Sequence, residues 1–176
     1  MKKPKMITKA QSEAIAARLN LRDRNIWRLC CETGLRISDV LNLKAAYVSK
    51  IMYVTEKKTG KTKIIELSDS LLHDLQKNRK NDKFLDRAEW LFKSPRDAKK
   101  HLNRSTYHRR LKRACEGLKI ECSAHSTRKL YAMEKFYETK NIFDVQKLLN
   151  HKYITTTADY LDINLSELIM MSMQQT

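Results

Sequence analysis

Three glycines and two prolines are all the chain-breaking residues that 176 positions contain. A sandwich or barrel of many strands needs a turn every eight to twelve residues or so, and so few breakers do not supply them. Long helices are the natural alternative. The length suits one globular domain over residues 1–176, and 41% hydrophobic residues can furnish its core.

Charge narrows the partner. Lys and Arg number 36 against 20 Asp and Glu, a formal +16. No apolar run reaches transmembrane length, and the basic start MKKPKM leads into a polar helix instead of an apolar signal segment. Neither a membrane span nor secretion is indicated, so a cytoplasmic protein with a nucleic-acid partner is expected. The four cysteines, Cys30, Cys31, Cys115 and Cys122, form no CxxC pair. Reduced thiols serving as small core residues are the expectation. Cys122 and His125 stand at CxxH spacing, but no second pair of ligands accompanies them, and no metal site is expected.

Thr8 and Gln11 make a capping-box pattern with Ile7 as a staple, which predicts a first helix over about Lys9 to Asn20. Asp23 reads as the cap of a second helix with Ile26, Trp27, Leu29 and Cys30 inward and Gly34 at its end. Ser38 can cap a short third helix. Arg36 therefore falls at a helix junction, where a guanidinium is held more rigidly than on a solvated face, and Asp39 is placed to orient it.

The period then changes. KIMYVTE and KTKIIELS flank the polar tip KKTGK and predict a β-hairpin turning at Gly60, with Lys57, Lys58, Lys61 and Lys63 crowding the tip, either as a soluble turn or, on so basic a chain, as one whose Lys57, Lys61 and Lys63 reach DNA. A helix starting at Ser68 or Asp69 carries Leu71, Leu72 and Leu75, the polar run KNRKNDK reads as an exposed loop, and WLFKSP as a short apolar segment. From Lys93 to Arg113 nine basic residues face one acid, Asp97. The latter part reads as a helix capped by Ser105. Such a run is a solvated face or, with Tyr107 and His108 interleaved, a helix that contacts phosphates through Arg104, Arg109, Arg110, Lys112 and Arg113.

In SAHSTRKLYAMEKFYE, Ser123 can cap a helix that puts His125 and Arg128 on one face. A further helix through Phe143, Val145, Leu148 and Leu149 delivers His151 near its end, and Tyr160 follows nine positions later. There is no P-loop glycine pattern, HExxH or carboxylate cluster, so nucleotide hydrolysis and metal-dependent hydrolysis have no support.

TGLRISDVLNL, KTGKTK, HSTR, LLNH and ITTTADY stand in an order that resembles the catalytic domain of the tyrosine recombinases, the phage-integrase family, over about Ile7 to Met173. The resemblance implies a mainly helical fold with a small antiparallel sheet. It also implies roles: Arg36 and Arg128 as the two catalytic arginines, Asp39 as supporting acid, Lys58 as catalytic lysine, His125 opening the HxxR motif, His151 at the next His or Trp position and Tyr160 as nucleophile. The implied reaction cleaves and rejoins double-stranded DNA through a 3′-phosphotyrosyl link, without cofactor or metal. DNA relaxation of the type IB topoisomerase kind and a non-catalytic DNA-binding regulator are the alternatives.

The sequence departs from the family pattern in places. Asn150 stands where Gly is usual before the histidine, and Thr127 where Leu is common. The separate N-terminal core-binding domain of typical members is not expected here. A tail helix over about residues 164–173, with Leu165, Leu168, Ile169 and Met173 in a stripe, is expected to pack within its own domain or onto a neighbouring protomer of a tetrameric synapse.

Overall fold

In a computed structural model, residues 5–81, 89–97, 99–164 and 166 are described. The tail expected over about 164–173 lies largely outside them. Helix α1 (Lys9–Arg18) begins at the capping box: Thr8 accepts from the Gln11 N–H, and Gln11 reaches back to the Thr8 N–H at 2.9 Å. Helix α2 (Leu21–Thr33) is capped by Asn20, whose side chain accepts from the Asp23 N–H. Asp23, expected to be the cap, is instead fully buried one turn in, where Arg22 and Arg110 meet it.

Gly34 closes α2 in the left-handed conformation, at φ 62°. Its missing side chain matters, because a Cβ there would come within 2.3 Å of the Tyr131 ring. Helix α3 (Ile37–Leu41) follows with Arg36 at its N-cap position; Ser38 does not cap it.

Strands β1 (Ile51–Thr55) and β2 (Thr62–Glu66) pair antiparallel, with Met52 opposite Ile65 and Val54 opposite Lys63. Alternate residues turn inward on each, so Lys63 falls on the buried side. Helix α4 (Asp69–Asn81) starts where expected, Ser68 accepting from the Leu71 N–H. It continues into the polar run read as a loop, since Lys, Arg and Gln are good helix formers.

Helix α5 (Arg104–Glu116) is capped by Asn103, two residues before the Ser105 expected, and buries Tyr107, Leu111 and Cys115. The chain then reverses, Ile120 donating to the Cys115 carbonyl, and this brings Cys122 back beside Cys115. The two form a disulfide where reduced thiols were expected, with their Cα atoms 6.3 Å apart. Cys30 and Cys31 remain thiols, and burial pushes Cys31 up to about 12.

Helices α6 (Ala124–Thr139), α7 (Ile142–Leu148) and α8 (Ile154–Leu161) complete the described chain. Helix α6 lies between two cores. Leu130 joins the larger one, with α2, α3, the hairpin and α5, while Tyr131 and Ala132 join a smaller one with Ile142, Val145, Leu149, Ala158 and Leu161. The seam between the cores is where Arg128 lies. No described helix is long and apolar enough to cross a membrane.

Candidate active site

Four segments meet at this seam. Arg36 arrives from the α2–α3 junction and is only partly covered, whereas Arg128, from the second turn of α6, is 3% exposed. The Arg128 guanidinium donates to the Gly34 carbonyl at 2.5 Å and to the Leu149 carbonyl at 2.6 Å. A buried guanidinium needs such partners, and these two fix its plane against both cores.

Between the arginines sits an acid that the sequence reading passed over. Glu56 follows β1 and is completely buried. Its Oε1 lies 2.9 Å from Arg36 Nη1 and 3.5 Å from Arg128 Nη1, while Oε2 accepts from the Thr59 hydroxyl at 2.8 Å and the Asn150 amide at 3.0 Å. Burial alone would raise its pKa, but the bonds from Asn150 and Thr59 and the charge of Arg36 outweigh it, so the carboxyl lies below its ordinary range and is ionised at neutral pH.

Asp39, expected to orient Arg36, does something else. It is buried with Oδ1 accepting from the Lys57 N–H at 3.1 Å, so it ties α3 to the hairpin. Geometry explains the change: an acid on α3 reaches the hairpin, and the hairpin's own acid reaches back to the arginine.

The histidines and tyrosine lie on the α6–α8 side. His125 is half-buried, and burial together with Arg104, Arg128, Arg36 and Lys58 lowers its pKa. His151 is lowered further, to about 4, by burial and the positive charge of Arg128 and Arg36. Both imidazoles are therefore neutral at pH 7. His151 Nδ1 lies 3.1 Å from the Thr157 hydroxyl, and Gln146 supports its loop by donating to the His151 and Lys152 carbonyls.

Asn150, just before it, has φ 52°. That left-handed backbone favours glycine, and asparagine tolerates it better than most residues, which accounts for the exchange noted in the sequence. The Tyr160 ring stands edge-on to His151, with centroids 5.7 Å apart. Its hydroxyl donates to the main-chain carbonyl of His125, not to the imidazole, at 3.1 Å, and burial pushes the phenol up to about 12.

Lys58 lies exposed at the hairpin turn, near enough for its charge to act on His125. Lys57, Lys61, Arg104, Arg109, Lys112 and Arg113 are also exposed. Two residues expected to contact phosphates are not free to do so. Lys63 is buried, donates to the Thr33 carbonyl and stands 4.9 Å from the Tyr131 ring centre, with burial lowering its pKa to about 8. Arg110 is drawn in beside the buried stripe of α5 to meet Asp23 at 3.2 Å. Among the described residues no three His, Cys, Asp or Glu side chains converge as a metal requires. Cys122, half of the CxxH pair, is engaged by Cys115.

The model of the phage integrase family matches residues 5–167. The chain belongs to this family, the tyrosine recombinases. A probable integrase/recombinase of Bacillus subtilis, YoeC, is 31% identical over 148 residues, covering 82% of this chain and 80% of that protein. Among solved structures, XerA recombinase superposes with a TM-score of 0.76 at 23% identity, over 99% of this chain and 66% of that one. A lambda integrase dimer bound to a COC′ core site gives 0.72 at 22% identity, over 92% and 60%. At these identities the likeness is one of fold, and the mainly helical architecture with its small antiparallel sheet is that of the recombinase catalytic domain. The chain thus spans about two thirds or less of the length of these two recombinases.

Proposed function

We propose that this chain cleaves and rejoins DNA strands at specific sites through a 3′-phosphotyrosyl intermediate on Tyr160. The observation that carries the reading is the convergence of Arg36 and Arg128 on one buried carboxylate, beside two neutral imidazoles and a tyrosine hydroxyl. A DNA phosphate at the open edge of Arg36 meets donors on one side and a nucleophile on the other.

In this reaction the Tyr160 oxygen bonds to phosphorus and the bond from phosphorus to the 5′-oxygen breaks. The phenolic hydrogen leaves the His125 carbonyl and passes to the neutral imidazole of the same residue, a base suited to neutral pH. Lys58 gives its proton to the departing 5′-oxygen. Arg36, Arg128 and His151 donate to the non-bridging oxygens; if Thr157 donates to Nδ1, the Nε2–H of His151 is the one that faces the phosphate. Loss of one such donor costs on the order of 2.7–4 kcal/mol in the barrier. Two guanidinium forks do here what Mg²⁺ does in other phosphoryl transfers, and the phosphotyrosyl bond keeps the energy for rejoining, so no cofactor is called for.

Double-stranded DNA is the proposed partner, held through the exposed basic residues of the hairpin tip and α5. Self-association on DNA, as in the lambda integrase dimer, fits recombination between paired sites. A tetrameric synapse with the apolar tail exchanged between protomers extends this reading, as does work on a mobile element in the cytoplasm of a prokaryotic host. The test is covalent trapping on a library of nicked duplexes. A protein–DNA adduct that disappears in Tyr160→Phe, together with strand exchange between two duplexes, is expected. An adduct with relaxation but no exchange supports the topoisomerase reading, and no adduct supports a DNA-binding regulator.

A further inference from the structure

We infer that Glu56 is a positioning residue for strand transfer, holding the two arginines and the His151 loop in register with the hairpin that carries Lys58. The inference rests on the recombinase reading above and adds to it a residue to which no role is otherwise assigned.

Glu56 is bound into the hairpin by its own backbone. Its N–H donates to the Lys61 carbonyl at 3.0 Å, and its carbonyl accepts from the Gly60 N–H at 2.8 Å, so it closes the turn in which Lys58 sits. Its side chain reaches the other three segments: Arg36 after α2, Arg128 on α6, and Asn150 immediately before His151. Each of the four segments contributes at least one proposed catalytic group, α6 both His125 and Arg128, and this one carboxylate touches all four.

The charge of Glu56 is as necessary as its reach. Without it the guanidiniums of Arg36 and Arg128 would face the Lys63 ammonium uncompensated, three cations at close quarters of which Arg128 and Lys63 are buried. The same carboxylate raises the pKa values of Arg128 and His151 against the depression from burial.

The contact also leaves room for a substrate. Although Arg36 Nη1 and Glu56 Oε1 are 2.9 Å apart, the approach is out of line and neither atom gains an aligned hydrogen bond. The attraction is therefore chiefly one of charge, and a phosphate would approach the part of the Arg36 guanidinium that stays uncovered, away from its buried Nη1. A carboxylate occupying the phosphate position would instead take the hydrogens of Arg36 in line.

The experiment compares the whole chain with its Glu56→Gln variant on the duplex selected from the nicked library. Single-turnover adduct formation is expected to fall about a hundredfold, the scale of a small misplacement of catalytic groups, with unchanged DNA affinity and a cooperative melting transition. A scissile methylphosphonate, which removes the charge on one non-bridging oxygen, should narrow the gap between the two proteins. A deficit of equal size on both substrates, or one matched by lost DNA affinity, marks a merely structural role and overturns the inference. Equal or faster cleavage by Glu56→Gln overturns it too, the faster case showing that the carboxylate competes with phosphate. Failure of the unmodified chain to form any adduct overturns the recombinase reading itself and this role with it.

Discussion

Lys61 and Lys63 look equivalent in KTGKTK, yet one stands in solvent at the hairpin tip and the other is buried against Tyr131. Their contributions to DNA binding should differ accordingly. Lys61→Ala is expected to lower the slope of log affinity against log salt by about 0.9, one phosphate contact, while Lys63→Met leaves it unchanged. Binding isotherms at several salt concentrations read this, and a smaller slope in Lys63→Met would place that lysine on DNA after all. His151 offers a second test. Its folded pKa of about 4 lies below the ordinary 6.5. The unfolded chain therefore takes up a proton first as pH falls, and the stability that the neutral imidazole contributes is complete above 6.5 and lost progressively down to about 4. Denaturant unfolding of His151→Gln should show less loss than the parent chain across that window; parallel curves would contradict the assigned shift. The proposed catalytic side chains are picked out in the sequence by local motifs, in each of which at least one of them sits. Glu56 is not, since EKKTGK reads as a solvated run of charge and its partners lie in three remote segments.

At the scale of elements, the end of α2 shows how tightly the arginines depend on backbone. The Gly34 carbonyl accepts from Arg128, its φ is 62°, and a Cβ would strike the Tyr131 ring. Gly34→Ala should combine left-handed strain with overpacking and destabilise the fold by about 2–5 kcal/mol. Thermal or denaturant melting measures it, and a shift under half a kcal/mol or so would mean that Tyr131 moves aside freely. Helix existence was readable from capping boxes and apolar spacing, and the hairpin from its change of period. The first residues of helices were less so. Asn20 and Asp23, like Asn103 and Ser105, are all good cap residues, and which one caps depends on where the main chain turns, while Asp23 is claimed by Arg110 from a distant helix. Lys63 was misplaced for a related reason: the tip ends where the strand ladder begins, and alternation then turns that side chain inside.

For the whole molecule, the positive charge is distributed with a purpose that the composition alone does not reveal. Part of it is internal, with Arg128, Lys129 and Lys63 buried and Arg110 engaged by Asp23, and another part lies exposed on the hairpin tip and α5. The two cores are joined by α6, so Tyr160, the proposed nucleophile on α8, packs against one cluster while the helices flanking Arg36 belong to the other, and the two meet at Arg128. The Tyr160 hydroxyl rests on the His125 main chain, and in the proposed reaction its oxygen attacks a DNA phosphate within this seam. The most direct measurement is peptide mapping of the trapped adduct. Trypsin leaves Tyr153 to Thr176 as one peptide, because no Lys or Arg follows Lys152, and fragmentation of that peptide distinguishes its two tyrosines. A nucleotide remnant joined through a 3′-phosphate to Tyr160 is expected; a remnant on Tyr153, or on any other residue, would rule out Tyr160 as the nucleophile.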